Sequence, residues 1–202
     1  LSIEWSRIEP EEGKFNQAEI EHYKKVLKAL KKRGFTVMLT LWHFTLPKWV
    51  ADLGGWENGK TAQYFEKFVT RIVPEIGQYV DLWITLNEPG VYAFMAYLGG
   101  DDAGPFPPEK NSKFSAFKVT WNLARAHKKT YKLIHKLIPN SKVGIAQNVS
   151  SFQSHHKHSI RELMAVNLSD IFTNHSFYFF TKGYHDFLGL NYYKIDRMPG
   201  SY

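Results

Sequence analysis

The chain has 202 residues, of which 44% are hydrophobic and 22% are charged, a mixture typical of a globular domain with one sizeable core. It contains no cysteine, which excludes disulfides and thiolate metal sites, and no apolar run approaches the ~18 residues of a membrane span. The formal net charge of +7 is compatible with a nucleic-acid partner, but the lysines cluster on predicted helix faces, so solvated helix surfaces explain the charge better than a phosphate-binding groove.

The first predicted elements alternate between strand and helix. Leu1–Ile8 has the alternating pattern of a strand. Asn16 predicts the N-cap of a helix with apolar residues at helical spacing, and Gly34 predicts its end. Phe35–Leu41 then has the composition of a buried strand, and a long aromatic loop begins at Trp42.

The middle of the chain continues this alternation. A second helix is predicted at about Thr61–Ile76, where Pro74 should kink or end it. A buried strand follows from Tyr79, and Gly99–Pro108 is predicted to be a rim loop because it is rich in Gly, Pro and Asp. A third helix is predicted at about Lys113–Leu137, and its predicted inner face consists of Phe114, Phe117, Trp121, Tyr131 and Ile134.

The last elements are a strand at Val143–Asn148, a weaker helix at about Ile160–Tyr178 and a strand at Phe187–Tyr193. Strands that alternate with helices predict a parallel sheet with helical crossovers, and hence an α/β fold. A doubly wound nucleotide-binding fold is the rival, but it would need a Gly-rich turn after a strand, and no such motif occurs.

Glu88 is the residue that the strand pattern singles out. The buried strand that begins at Tyr79 stops at Asn87, Glu88 and Pro89, and proline marks the end of pairing because it has no N–H to donate. The carboxyl ends of parallel strands are where ligands bind in such folds. Alone, this glutamate would be read as a residue that caps a loop. Other functional-looking residues also follow predicted strands, however: Arg7, His43, Asn87, Asn148, Asn191 and Tyr193.

These segments carry a resemblance to glycoside hydrolase family 1, the family of β-glucosidases and related β-glycosidases. The resemblance rests on five segments in the family's order: Ile3–Ile8, Leu41–Pro47, Gly54–Trp56, Thr85–Pro89 and Asp186–Tyr193. It implies an incomplete (β/α)8 TIM barrel, with strands two to six of eight in a single partial domain over residues 1–202. It also implies that strand one would precede Leu1 and that the nucleophile segment would follow Tyr202.

The resemblance also implies roles for seven residues. Glu88 would be the general acid/base, Arg7 would keep the nucleophile ionised, and Tyr193 would hydrogen-bond the nucleophile. Substrate contacts would come from His43 on a sugar hydroxyl, Asn87 on the 2-hydroxyl, Asn191 and Trp42. No carboxylate in the chain replaces the nucleophile convincingly, because Asp186 opens its strand and Asp101 and Asp102 lie in the predicted rim loop.

Two groups of residues invite other interpretations. His155, His156 and His158 could suggest a metal site, but no carboxylate or cysteine joins them locally, so solvated loop histidines are the prediction. Trp121 lies in the middle of a predicted helix and is expected in the core.

The predicted function is therefore a retaining exo-β-glycosidase, in particular a β-glucosidase, acting on a β-glycoside or oligosaccharide in the cytoplasm without a cofactor. The isolated chain is expected to be inactive and to self-associate through open barrel edges, with neither nucleic acid nor membrane as a partner. Three alternatives stay open: a barrel fragment that only binds sugar or assembles with its missing part, a basic nucleic-acid binder, and an endo-acting glycanase.

Overall fold

The structure, a computed structural model, describes residues 1–99, 104–156 and 158–197. Its centre is a four-stranded parallel sheet in which the strands lie in chain order. The strands are β1 (Met38–Trp42), β2 (Leu82–Asn87), β3 (Lys142–Gln153) and β4 (Phe187–Arg197). The α-helices are α1 (Trp5–Ile8), α2 (Gln17–Lys32), α3 (Lys48–Asp52), α4 (Thr61–Ile76), α5 (Pro89–Tyr97), α6 (Lys113–Leu137), α7 (Ile160–Asp170) and α8 (Ser176–Thr181).

Three short segments complete the described elements: 3₁₀ turns at Gly55–Glu57 and Gly77–Tyr79, and a π-helical turn at Ile171–His175 that joins α7 to α8. Because helices separate every pair of neighbouring strands along the chain, all four strands run in the same direction. The predicted parallel α/β arrangement is confirmed.

The predicted strand at Leu1–Ile8 is wrong. Ser2 makes a single parallel bridge to Thr40 of β1, and the chain then turns into α1. The turn begins at Glu4, whose side-chain oxygen accepts a hydrogen bond from the Ser6 N–H at 3.4 Å. Trp5 and Ile8 are both buried at a spacing of three, which one helical turn places on the same face, whereas an alternating strand would place them on opposite faces.

Helices α4 and α6 have the predicted bounds, but the predicted inner face of α6 is correct only in part, because Ile134 is buried whereas three of its five residues are exposed. Phe114, Phe117 and Trp121 are 77%, 58% and 45% exposed. The buried face consists mainly of smaller side chains: Ala116, Val119, Leu123, Ala124 and Ala126. Phe117 and Trp121 pack instead against Phe180 of α8, at 6.3 and 5.9 Å between ring centroids. Pro74 is accommodated within the last turn of α4.

Two aspartates fasten the beginning of the sheet. Asp81 precedes β2, and its carboxylate accepts the Val37 N–H at 2.7 Å while its own N–H donates to the Val37 carbonyl at 2.9 Å. Asp186 precedes β4 and makes the same two bonds with Val143, at 2.7 and 2.8 Å. Both aspartates lie at the amino ends of the strands. Glu88 follows the carboxyl end of β2 and therefore lies at the opposite end of the strands.

Candidate active site

Glu88 sits in a strained turn between β2 and α5. Its φ and ψ angles of 44° and 56° are left-handed, a conformation that is uncommon for any residue other than glycine. Its N–H donates to the Ala146 carbonyl of β3 at 2.7 Å, and Pro89 begins α5 immediately afterwards. The turn leaves Glu88 only 6% exposed at the carboxyl end of the sheet.

Two side chains of β4 lie beside the carboxyl group of Glu88. The Asn191 amide donates to Glu88 Oε1 at 2.7 Å and also lies 3.3 Å from the side-chain oxygen of Asn87. The Tyr193 phenol lies close enough to Glu88 for the carboxylate charge to act on it. Partial burial, followed by the charge of Glu88, raises the pKa of Tyr193, so this phenol stays neutral and able to donate at neutral pH.

His43 extends this network to the first strand. Its Nε2 lies 3.1 Å from the side-chain nitrogen of Asn87, and its Nδ1 lies 3.0 Å from the Ser2 hydroxyl. Because the Asn87 nitrogen can only donate, Nε2 accepts and the neutral ring carries its proton on Nδ1. One chain of hydrogen bonds therefore joins Ser2, β1, β2 and β4 across the same edge of the sheet.

The structure brings together five of the residues predicted to form the site. These are His43, Asn87, Glu88, Asn191 and Tyr193. Asn148 is the register partner of Asn191 in the adjacent strand β3, which places both on the same face of the sheet. Ser2 is a member of the network that sequence reasoning missed, because a short hydroxyl within a predicted strand gives no signal of its own.

The structure pairs Arg7 with a carboxylate outside this network, and its role toward the nucleophile stays a prediction. The helical turn α1 directs Arg7 toward α2, where its guanidinium forms an ion pair with Glu19 at 2.7 Å. The arginine side chain is 54% exposed there.

Trp42 is wrongly predicted to contact substrate. It is 1% exposed, and its ring packs edge to face on Trp56 at 5.3 Å and on Tyr92 at 5.1 Å between centroids. Its indole N–H donates to the Thr45 carbonyl at 2.8 Å. Trp42 therefore supports the loop that follows β1, whereas its neighbour His43 faces the opposite way and reaches the polar network.

A cavity of about 690 Å³, which sequence reasoning did not predict, adjoins this network. Its walls come from the loop after β1, from α5 and from the segment that follows residue 104, and they include Phe44, Leu46, Gly55, Tyr92, Tyr97 and Phe106. Phe44 adopts a left-handed φ of 72° directly after His43. The aromatic sequence of this loop was the available signal, but only the fold shows that its rings surround a space.

Other candidate residues lie away from Glu88 or outside the described ranges. His156 is bound by Glu162, which accepts from its N–H at 2.7 Å and lies 2.8 Å from Nδ1, so a carboxylate does join this histidine. Within the described ranges, no three histidine or carboxylate groups are arranged to hold a metal ion. Asp101 and Asp102 fall outside those ranges, and Asp186 lies at the amino end of β4. No helix in the described part of the chain is long and apolar enough to cross a bilayer.

Comparisons with known proteins agree with this geometry. The family model for glycosyl hydrolase family 1 matches residues 1–183. The chain is 34% identical to the chloroplastic galactolipid galactosyltransferase SFR2 of Arabidopsis thaliana. The match covers 100% of this chain and 34% of the length of SFR2. The chain is 37% identical to β-glucosidase A of Acetivibrio thermocellus, over 74% of this chain and 33% of that one.

Solved structures show the same architecture. The β-glucosidase of Thermotoga maritima in complex with deoxynojirimycin superposes with a TM-score of 0.87 at 27% identity, over 97% of this chain and 50% of that chain. The chain thus spans about a third of the length of the curated relatives it matches and half of this solved one. The predicted fold class, an incomplete (β/α)8 barrel, is confirmed by this similarity.

Proposed function

The chain belongs to glycosyl hydrolase family 1, and from that premise we propose that it carries the acid/base residue of a retaining exo-β-glycosidase that acts on β-glucosides. The observation that supports this most is the setting of Glu88. Its carboxyl group lies at the carboxyl end of a parallel sheet and accepts a hydrogen bond from Asn191, with the Tyr193 phenol nearby. Family membership supports glycoside hydrolysis as the general chemistry.

In the proposed reaction, Glu88 donates a proton to the glycosidic oxygen as the bond to the sugar breaks, so the aglycone leaves as a neutral alcohol. A carboxylate nucleophile takes the sugar as a covalent glycosyl-enzyme. Glu88, now ionised, removes a proton from water, which attacks the same carbon and releases the sugar with its configuration retained. Asn87 and His43 are proposed to bind sugar hydroxyls, because His43 is exposed at the margin of the network and is hydrogen-bonded to Asn87 beside Glu88.

The nucleophile is proposed to come from a segment that these 202 residues do not include. A retaining site needs two carboxyl groups ~5–5.5 Å apart. The hydrogen-bond partner of the Glu88 carboxyl group is the Asn191 amide, and Asp186 is at the other end of its strand. The chain also spans only half of the solved β-glucosidase. We therefore expect the 202-residue chain alone to bind sugar without hydrolysing it. The cytoplasm remains the proposed compartment, and the lack of cysteine is compatible with it.

Glycosyl transfer is a second candidate, favoured by the similarity to a galactolipid galactosyltransferase over the entire chain. It needs no different catalytic residues. A sugar hydroxyl of an acceptor would replace water in the second step, and Glu88 would deprotonate that hydroxyl in the same way. The two candidates differ only in what attacks the glycosyl-enzyme, so a single product analysis separates them.

The acid/base role is tested by Glu88→Gln in the full-length protein that contains this chain. β-Glycosides with poor leaving groups should slow by about 10²–10⁴-fold, because their departure requires protonation. Glycosides of strongly acidic phenols should lose much less in the first step, and azide should restore turnover by attacking the glycosyl-enzyme without a base. The exposed control Glu11→Gln should behave as the wild type does.

Two outcomes would refute the assignment. An equal loss on every leaving group would point to a nucleophile rather than an acid, and full activity in Glu88→Gln would remove this residue from the mechanism. Incubation of the wild type with a β-galactolipid then separates the two candidate functions, since hydrolysis releases free galactose and transfer produces a lipid with additional sugar. A protein that binds glycosides yet yields neither product would be the sugar-binding fragment.

A further inference from the structure

The cavity of about 690 Å³ lies beside the proposed sugar site but is distinct from its polar network. Its volume is within the ~300–1,000 Å³ that small-molecule sites occupy. Phe44, Leu46 and Phe106 line it with rings and a branched chain, and Pro107 and Pro108 close one side. None of the residues that bind Glu88 contributes to the wall, so the cavity requires its own explanation.

Its position relative to Glu88 is fixed by two direct connections. Tyr92 lies one turn along α5, and its N–H donates to the Glu88 carbonyl at 3.1 Å. Phe44 directly follows His43, and the two rings meet edge to face at 5.1 Å between centroids. The segment after residue 104 closes the wall, since the Phe106 N–H donates to the Met95 carbonyl at 3.0 Å. The cavity therefore shares its supporting elements with the polar network.

The polar groups of the wall are already satisfied by each other. Glu57 and Lys110 form an ion pair at 2.6 Å, and the Ser115 hydroxyl also donates to Glu57. The rings of Tyr92 and Tyr97 pack edge to face at 6.2 Å between centroids, and burial above all raises the pKa of both phenols, that of Tyr97 to about 12. Neither phenol is therefore ionised at neutral pH. A charged ligand group would have to break the Glu57–Lys110 pair, so a neutral apolar ligand fits this wall best.

We propose that this cavity binds the alkyl chain of an amphiphilic β-glycoside whose sugar occupies the site at Glu88. The proposal rests on the proposed function insofar as it places the sugar there. A saturated chain matches a wall of rings, prolines and a leucine that offers no free charge. Each buried methylene contributes about 0.8 kcal/mol, which corresponds to a decrease of up to about fourfold in the dissociation constant.

The test measures the binding of methyl, octyl and dodecyl β-glucosides by titration calorimetry. Each glucoside is used below its critical micelle concentration, with the 202-residue chain and with the full-length protein. The dissociation constant should fall steeply from methyl to octyl and level off once the cavity is full. Ala51→Trp fills the cavity from the exposed helix α3 and should weaken dodecyl glucoside at least tenfold without affecting methyl glucoside. Lys48→Trp, on the same helix but outside the wall, is the matched control.

A second variant guards against misfolding. Phe106→Ala enlarges the cavity and should move the chain length of tightest binding upward, with thermal unfolding of each variant measured in parallel. Affinities that do not depend on chain length, or an Ala51→Trp variant that binds like Lys48→Trp, would overturn the proposal. So would phenyl glucosides that bind more tightly than alkyl glucosides of equal carbon number, since they would indicate an aromatic aglycone.

The same measurements separate this inference from the proposed function. Glu88→Gln should keep the full dependence of affinity on chain length, because it leaves the cavity wall unchanged. If that dependence is present but the full-length protein neither hydrolyses nor transfers sugar, the proposed function fails and the alkyl site stands. If the protein hydrolyses short and long glycosides with equal affinity, the proposed function stands and the alkyl site fails.

Discussion

At the scale of single residues, His127 is a buried group that should make stability depend on pH. It is fully buried on α6, where Thr85 lies 2.7 Å from its Nδ1 and the Tyr184 carbonyl lies 2.7 Å from its Nε2. The carbonyl can only accept, so the neutral ring carries its proton on Nε2 and accepts from the threonine at Nδ1. Burial, together with the nearby His185, lowers the pKa of His127 to about 3.

The direction of the pH effect follows from this lowered pKa. The unfolded chain has a histidine pKa of about 6.5, so between pH 6.5 and 3 the unfolded state binds a proton that the folded state does not. The free energy of unfolding should therefore fall with decreasing pH by up to about 1.4 kcal/mol per unit. Urea unfolding between pH 6.5 and 5 measures the slope, which His127→Gln should reduce.

A matched control keeps this prediction specific. His22→Gln removes an exposed histidine from α2 and should leave the slope as it is in the wild type. An unchanged slope in His127→Gln would mean that this ring does not limit stability in acid. His185, whose pKa burial also lowers, would then be the next group to replace.

The sequence predicted the polar residues of the candidate site better than its aromatic ones. His43, Asn87 and Glu88 directly follow buried strands, and parallel strands must bring such residues to one edge. Trp42 and Trp121 could not be placed in this way. A tryptophan has a similar hydrophobic signature in a core and at an exposed rim, and only packing against neighbours such as Trp56 or Phe180 decides between the two.

At the scale of elements, Asp186 should contribute measurably to the attachment of β4. Three donors converge on its carboxylate: the Val143 N–H, the Tyr131 hydroxyl at 2.9 Å and His135 Nε2 at 2.9 Å. Burial acts to raise the pKa of Asp186, but these donors outweigh it and hold the pKa below its usual value. The carboxylate is therefore fully ionised at neutral pH.

Asp186→Asn should lower the free energy of unfolding at pH 7 by about 1–3 kcal/mol, because an amide offers one acceptor oxygen where three donors meet. Chemical denaturation provides the measurement. Asp52→Asn is the control, since that carboxylate forms an exposed pair with Lys48 within α3 and should leave the midpoint nearly unchanged. Equal effects in both variants would show that the hydrogen bonds of Asp186 contribute no more to the free energy of unfolding than an exposed ion pair does.

The bounds of helices and strands were predicted correctly where local sequence signals were strong. The prediction failed where pairing with another strand sets the bounds. Asn16 caps α2 as predicted, through a hydrogen bond from the Glu19 N–H. Strands β3 and β4 extend past their predicted ends because each pairs with the other as far as Gln153 and Arg197, across a register shift. Pairing between segments that are distant in the sequence is not visible as hydrophobic alternation in either segment, so the sequence does not predict where these strands end.

At the scale of the whole molecule, β4 is an edge strand of the sheet, with one side unpaired among the described strands. Strand β4 pairs only with β3 among the described strands. Leu188, Leu190 and Tyr192 share one face of β4 by alternation, and they are 50%, 66% and 57% exposed. A strand edge beside an exposed apolar face is a template for association with another chain. The solved β-glucosidase to which the chain is similar is twice as long.

The 202-residue chain is therefore expected to self-associate in a concentration-dependent way, and Leu190→Lys should shift it toward the monomer. A charge at this position stays solvated in the monomer but would be buried without a partner in a complex, which costs several kcal/mol. Sedimentation velocity over a range of micromolar concentrations measures the change. Phe35→Lys replaces another exposed ring, located before β1, and should leave association intact. A wild-type chain that stays monomeric throughout this range would show that the open edge is protected by the twist or charge of β4 itself.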